Sequence, residues 1–360
     1  MQPETSRTRL AIAGCLISVM LGGCGDTKQT DAAVAAARTT ATAAGTLARS
    51  TDVTAAELAS FAPLSPRMDM PNRASDKAQT DLGRALFYEN LLSDGHDVSC
   101  NSCHALNGYG ADGRSVSLGH DGRAGTRNSP TVYNAAGHVA QFWDGRAADV
   151  EAQAKGPILN PIEMGMPDSS AVLAHLRDSR LYVAMFQAAF PRERNPINYD
   201  NVGRAIGAFE RGLVTPSSWD RFLEGDSTAL TLDERRGLRT FLDAGCQSCH
   251  GGRYVGGDRF MKVGVVHPWF SQSDSGRVGV THDPNDLLVF KVPSLRNVAK
   301  TGPYFHDGSV ATLAEAVRLM GHHQLGKDLS APDVQSIVTW LESLTGTIPS
   351  NYIAYPQKPN

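Results

Sequence analysis

Two short runs in this sequence carry unusual chemistry: Cys100-Asn-Ser-Cys103-His104 and Cys246-Gln-Ser-Cys249-His250. Two thiols three positions apart can add to the two vinyl groups of one haem, and the adjoining histidine then sits under the iron as its proximal ligand. Zinc binding and thiol redox chemistry are the rival uses of such cysteines. A zinc site needs four ligands at short spacings, whereas the two pairs lie 146 residues apart. A thioredoxin-like site needs a βαβ setting, and no such pattern surrounds either pair. Two covalently bound c-type haems are the expected cofactors.

The sixth ligand of each iron decides what such haems do. A haem closed by strong ligands on both sides only passes electrons, and one that can open a position can bind a substrate oxygen. An internal repeat bears on the choice. Pro130-Thr-Val-Tyr-Asn134-Ala-Ala136, followed by Phe142-Trp143-Asp144-Gly145, returns as Pro293-Ser-Leu-Arg-Asn297-Val-Ala299, followed by Phe305-His306-Asp307-Gly308, with eight positions from Asn to Phe both times. Each block follows a Cys-x-x-Cys-His, so the chain reads as two copies of one haem domain.

Met320 stands 14 residues after His306. Met opposite His gives a low-spin, high-potential haem; core packing is the commoner use of a helical Met, and His322 and His323 are competing donors. Fourteen residues after Trp143 stands Pro157, which has no ligating atom. The second haem is therefore expected to be closed by Met320 and the first to differ. His120 follows His104 by 16 residues, in a loop with glycines at 108, 110, 113, 119, 122 and 125. It is either a removable ligand of the first iron or an ordinary solvated loop histidine. Near Pro157, Glu163 could move a proton between the two oxygens of a peroxide as general acid-base, and Gln153 could orient the peroxide. The plainer alternative is a surface Glu in a Pro-rich turn.

The elements that must position these residues are mainly helical. Leu82, Ala85, Leu86 and Phe87 have helical spacing and lead into the first motif. A matching helix leads into the second, opened by the capping box Thr231-Leu-Asp-Glu234 and buried through Leu238, Phe241 and Leu242. Further helices are expected at about 145–155, 169–178, 199–213, 311–321 and 331–344. Ser330 and Asp333 can start the last of these, and Leu341 and Leu344 bury it. The fold class is mainly α, with two cytochrome-c-like haem domains related by internal duplication, at 76–214 and 215–360.

The chain has 360 residues, a net charge of -3, 35 Gly and 19 Pro. That length accommodates two domains, and the charge offers none of the basic surplus of a nucleic-acid binder. Arg7 and Arg9 precede an apolar run of 12 residues, Leu10 to Leu21, that ends in Gly22-Gly23-Cys24. This suits a signal-peptide core and is short of the roughly 20 residues that span a bilayer. Residues 1–23 read as an export signal to the periplasm, either of the plain secreted kind or of the lipoprotein kind with a lipid on Cys24. Residues 24–75 are rich in Ala and Thr and read as a tether, with order beginning near Asp76.

From Leu82 to Leu344 the chain resembles the bacterial dihaem cytochrome c peroxidases. The resemblance is carried by Leu82-Gly-Arg-Ala-Leu-Phe87, Ser99-Cys-Asn-Ser-Cys-His104, Arg127-Asn-Ser-Pro-Thr-Val132, Gln141-Phe-Trp-Asp-Gly-Arg-Ala147, Gly156-Pro157 to Glu163-Met164, and Arg296-Asn-Val-Ala299 to Thr301-Gly-Pro-Tyr-Phe-His306. It implies a low-potential peroxidatic haem on His104, with His120 as distal ligand in the resting oxidised form. It implies a high-potential, electron-accepting haem on His250 and Met320, and Trp143 between the two on the electron path. Glu163 and Gln153 would be the distal acid-base and orienting groups. A calcium ion would sit between the domains on Asn128 and the Thr301 and Pro303 carbonyls. The substrate implied is hydrogen peroxide, the donor a small periplasmic cytochrome c or cupredoxin, and homodimers are common in the family. Two rivals are a pure dihaem electron carrier or sensor, and the protein-modifying dihaem oxidase of methylamine utilisation. That oxidase has Tyr where this chain has Met320, which favours the peroxidase.

Overall fold

The computed structural model describes residues 52–69 and 76–356. Ser50–Asn360 forms one compact unit; residues 1–49, with the export signal and Cys24, lie outside the described residues, as do 70–75. The described chain is mainly helical. Its α-helices are α1 (Ala55–Leu58), α2 (Lys77–Phe87), α3 (Cys100–Cys103), α4 (Val150–Leu159), α5 (Ser169–Asp178), α6 (Arg180–Ala189), α7 (Tyr199–Glu210), α8 (Ser218–Leu223), α9 (Leu232–Ala244), α10 (Val278–Thr281), α11 (Leu313–Leu319) and α12 (Ala331–Glu342). Two short strands, β1 (Phe260–Lys262) and β2 (Val289–Lys291), pair antiparallel with Phe260 opposite Lys291. None of the described helices is long and apolar enough to cross a membrane.

Helix starts follow side-chain chemistry. Asp76, Asp149, Asp168 and Asn198 each accept a backbone N–H of the first turn, which satisfies an amide that has no partner inside the helix. The Thr231–Glu234 capping box forms as its sequence indicates. Two departures stand out. α4 runs through Pro157 to Leu159, beyond the expected end at 155. α6 was not expected: Ser179 caps it, and Tyr182, Phe186 and Ala189 bury one face.

Each haem motif is framed by one close helix pair. α2 packs along α7, and a Cβ on Gly83 would collide with the Ala205 carbonyl; α9 packs along α12, and a Cβ on Gly237 would collide with the Ser336 carbonyl. These glycines let the helix backbones approach closely, against their intrinsic cost in a helix. The first core gathers α2, α4, α5, α6 and α7, with Leu82, Phe87, Ile158, Phe186 and Phe209 buried. The second gathers α8, α9 and α12 round Trp219, Phe241 and Trp340.

The tether assignment of 24–75 needs correction at residues 52–69. Thr54 and Glu57 form a capping box on α1. Phe61 packs edge-on against Trp219 at 5.3 Å and Trp340 at 6.5 Å, inside the second core. Backbone bonds hold the segment on both sides: Gly252 N–H to Ser60 O at 2.7 Å and Met68 N–H to Arg211 O at 2.9 Å. One large aromatic, buried among aromatics, outweighs the weak composition around it. The other chain end crosses the opposite way. Ile353 completes the first core, and the hydroxyls of Tyr352 and Tyr88 donate to Phe209 O and Ile353 O, both at 2.6 Å.

The repeat blocks adopt the same backbone. Asn134 and Asn297 both have φ of 62°, and Phe142 and Phe305 have φ of 65° and 69°. A bulky residue is rarely left-handed, so the recurrence marks a shared local constraint. Both asparagine amides donate to one hydroxyl, Thr215 Oγ1, at 2.9 Å each. Thr215 thus pins both blocks at the crossing from one half to the other.

Candidate active site

Cys100, Cys103 and His104 border a cavity of about 760 Å³ that reaches from α3 to the seam between the halves. Such a volume lies in the range of ligand and cofactor pockets, roughly 300–1,000 Å³. His104 Nδ1 lies 3.3 Å from Gly110 O, which leaves Nε2 as the free donor. His250 is placed alike: its buried Nδ1 faces the Val255 and Pro293 carbonyls without closing a complete hydrogen bond. Burial lowers His104 and takes His250 down to about 4, so both imidazoles are neutral, as a metal ligand must be. Burial pushes the Cys100 and Cys246 thiols up to about 12, and none of the four cysteines forms a disulfide. Paired thiols beside a neutral imidazole on an open cavity fit a haem at the first motif, and the second presents the same donor set.

Glu163 and Gln153 both line this cavity. Gln153 projects from α4. Glu163 follows the chain reversal after that helix, where Asn160 Nδ2 donates to its carboxylate at 2.5 Å. Burial raises the Glu163 carboxyl above its usual range, against the Asn160 bond and the Arg146 charge. Glu163 is half-buried in the turn after α4, on the cavity wall.

His120 is not among the cavity-lining residues. Its ring is turned into a group of carboxylates, with Nδ1 3.1 Å from Asp97, and Nε2 3.3 Å from Asp121 and 3.8 Å from Asp94. Burial acts to raise Asp97, but bonds from His120 and the Asp121 amide outweigh it and hold that carboxyl below its usual value. The His120 amide donates to Glu163 O at 2.6 Å, so its loop is tied to the segment carrying the cavity acid. The ring is neither over the cavity, as a bound ligand would be, nor freely solvated.

Trp143 lines the cavity at the seam. Its indole N–H donates to Asn128 O at 2.9 Å, and its ring lies edge-on to His306 at 6.4 Å. Asn128, Thr301 and Pro303 line the same cavity; Asn128 is buried and its amide donates to Arg114 O at 2.9 Å. No group of three or more His, Cys, Asp or Glu that could hold a metal occurs among the described residues, so a calcium here would rest on amide and carbonyl oxygens. Met320 opens a π-turn, Met320–Gln324, at the end of α11, half-buried beside Trp269 and Leu319. Single-turn π segments are frequent at functional sites.

Two buried ionisable groups on the cavity wall were not foreseen. Glu210, at the end of α7, is 4 % exposed; burial and the Glu151 charge, against Arg211, push it up to about 8. Lys291, at the end of β2, is 8 % exposed, and burial takes it down to about 8. The register of Lys291 within the repeat was the available signal; for Glu210 a helical face pattern gave only its burial.

A mainly helical chain with two Cys-x-x-Cys-His turns, one of them opening on a large cavity, defines the class as a dihaem protein. Residues 77–228 match the family model described as di-haem cytochrome c peroxidase. The chain is 44 % identical over 286 residues to cytochrome c551 peroxidase of Pseudomonas aeruginosa, covering 78 % of this chain and 82 % of that one. It is 42 % identical over 296 residues to cytochrome c551 peroxidase of Nitrosomonas europaea, covering 81 % and 86 %. A solved MauG-like protein associated with microbial copper homeostasis superimposes with a TM-score of 0.73 at 30 % identity, over 81 % of this chain and 97 % of that one. The chain belongs to the di-haem cytochrome c peroxidase family.

Proposed function

We propose that the chain reduces hydrogen peroxide to water with electrons from a small periplasmic cytochrome c or cupredoxin. One observation carries this reading: Cys100, Cys103 and His104 share a single cavity with Gln153 and Glu163. The relatives named cytochrome c551 peroxidase support it. Each peroxide takes up two electrons and two protons and leaves as two waters. A haem held covalently by Cys100 and Cys103 over His104 would supply the redox chemistry and a coordination position for peroxide. Gln153 orients the peroxide by hydrogen bonding. Glu163 takes the proton from the inner oxygen and returns it to the outer one, and the burial that raises its carboxyl brings its pKa nearer the working pH, where such a group is most effective.

The finer roles follow the same reading. The chain is an internal duplication, in which Cys246, Cys249 and His250 would hold a second haem, Met320 would serve as its further ligand, and that haem would collect the electrons. Trp143 lies on the path between the two haems. His120 would be the removable ligand of the first iron, with Asp97 and Asp121 holding its ring when withdrawn. Calcium binds Asn128 and the Thr301 and Pro303 carbonyls at the seam. The protein works in the periplasm, tethered by a lipid on Cys24, as a homodimer. The test is a spectroscopic redox titration of the holoprotein, followed by a peroxide assay at half reduction. A high-spin haem and turnover with reduced cytochrome c are expected; persistent low-spin spectra without turnover would leave an electron carrier.

A further inference from the structure

Pro130 and Pro293, Asn134 and Asn297, and Phe142 and Phe305 are all 163 positions apart. The same offset pairs the residues at the seam. Asn128 pairs with Lys291, Trp143 with His306, His138 with Thr301, and Ala140 with Pro303. The structure obeys this pairing bond for bond. The Asn128 amide donates to His306 O at 2.8 Å, and the Lys291 amide donates to Trp143 O at 2.8 Å. The proposed calcium ligands are therefore crossed, with Asn128 from one half and the Thr301 and Pro303 carbonyls from the other. Their images are Lys291 with the carbonyls of His138 and Ala140. Lys291 Nζ donates to the Ala140 carbonyl at 2.8 Å, the image of the Pro303 carbonyl.

We infer that the Lys291 ammonium is a built-in cation standing at the repeat-related counterpart of the calcium position, so that the seam carries one exchangeable cation and one that belongs to the chain. The inference rests on the calcium ligand set proposed above, but only for naming the first of the two charges. Lys291 is buried, lines the cavity and makes no salt bridge among the described residues. Asp144, whose charge favours the ammonium, is already bonded by Arg127 at 2.6 Å and Arg146 at 3.0 Å. An ammonium has three donors, and one carbonyl satisfies one of them. A buried charge needs compensating partners; the carboxylates of the prosthetic group that the cavity would hold would be the matching anions. His138, which would otherwise compete as a cation, has both ring nitrogens buried without partners, and burial followed by the Lys291 charge keeps it neutral. A fixed cation beside a redox group favours its reduced form, by the sign of the Coulomb interaction.

The test uses holoprotein carrying both haems and stripped of divalent ions with EDTA. Wild type, Lys291→Gln, which can still donate to Ala140 O, and Lys291→Arg, which keeps the charge, are compared by spectroelectrochemical titration. Calcium binding to each is then measured by calorimetry. The Gln variant should lower one haem's midpoint potential by a tenfold change in its reduction equilibrium, about 59 mV for one electron. The Arg variant should keep the wild-type values, and wild type should bind one calcium per chain. Unmoved potentials in the Gln variant, or two calcium ions per wild-type chain, would overturn the inference. No calcium bound by wild type, with the Gln shift intact, would sink the calcium ligand set and uphold the role of Lys291. If the Gln variant fails to retain both haems, Lys291→Met replaces it beside Lys291→Arg: a lowered potential in Met alone upholds the inference, and unmoved potentials in Met refute it.

Discussion

Around Cys100 the cavity wall carries carboxyls whose pKa burial raises, Glu163 on the segment after α4 and Glu210 on α7. From the half that holds Cys246, the same cavity wall takes Lys291, the rings of Tyr304 and Phe305, and Asp274, which pairs with Arg127 at 2.6 Å. Lys291 stands where the first half has Asn128, and Arg296, paired with Asp220 at 2.7 Å, stands where it has Tyr133. Yet the backbones agree, with left-handed Asn and Phe at matching places and matching amide bonds across the seam. Backbone hydrogen bonds fix the frame, and frame-compatible side chains are free to diverge. The difference between the two halves therefore lies in the charge of their side chains.

The sharpest way to break this contrast is to remove its acid. Glu163→Gln should cut peroxide turnover by about 10²–10⁴ with both haems retained, as read by steady-state assay and haem stain; near-full activity would refute the acid-base role. A second variant asks whether the halves depend on each other for stability. Phe61→Ala removes a buried ring of the second core and should cost about 3–5 kcal/mol in denaturant unfolding, whereas a free tether would cost nothing measurable. The smallest effect tests the second buried acid on the wall. Glu210 has a folded pKa of about 8 against an ordinary 4.5. The folded state then keeps a proton that the unfolded chain releases, so stability falls as pH rises between those two values and levels off outside them. Glu210→Gln should flatten that fall in melting temperature; an unchanged slope would mean the proton is held elsewhere.

Much of this was legible in the sequence because it is local. The Cys-x-x-Cys-His turns, the Thr231–Glu234 cap, the helix following Asp168 and the repeat register are all set by residues within a few positions of one another. The rest depends on contacts far apart in the chain. The carboxylates that hold His120 come partly from Asp94 and Asp97, which spacing does not tie to it. The order of residues 52–69 rests on Phe61 meeting Trp219 and Trp340, and a single aromatic gives no periodic signal. The helix at Arg180–Ala189 follows α5 after one intervening residue, Ser179, so two helices share one apolar stretch and their break is hard to see. Lys291 reads as an ordinary strand lysine until the repeat is laid over itself.

The crossed chain ends have a consequence for the order of assembly. Phe61 is made early, but its seat between Trp219 and Trp340 is complete only after nearly the whole chain exists. Ile353, at the far end, closes the core laid down first. Contacts so distant in sequence are slow to form because a long loop must be closed before they are rewarded. Neither half can then complete its interior by itself during synthesis, because Phe61 and Ile353 each fill the core of the half they do not belong to. A cut at Thr215 would give two fragments, each lacking a piece of its own interior.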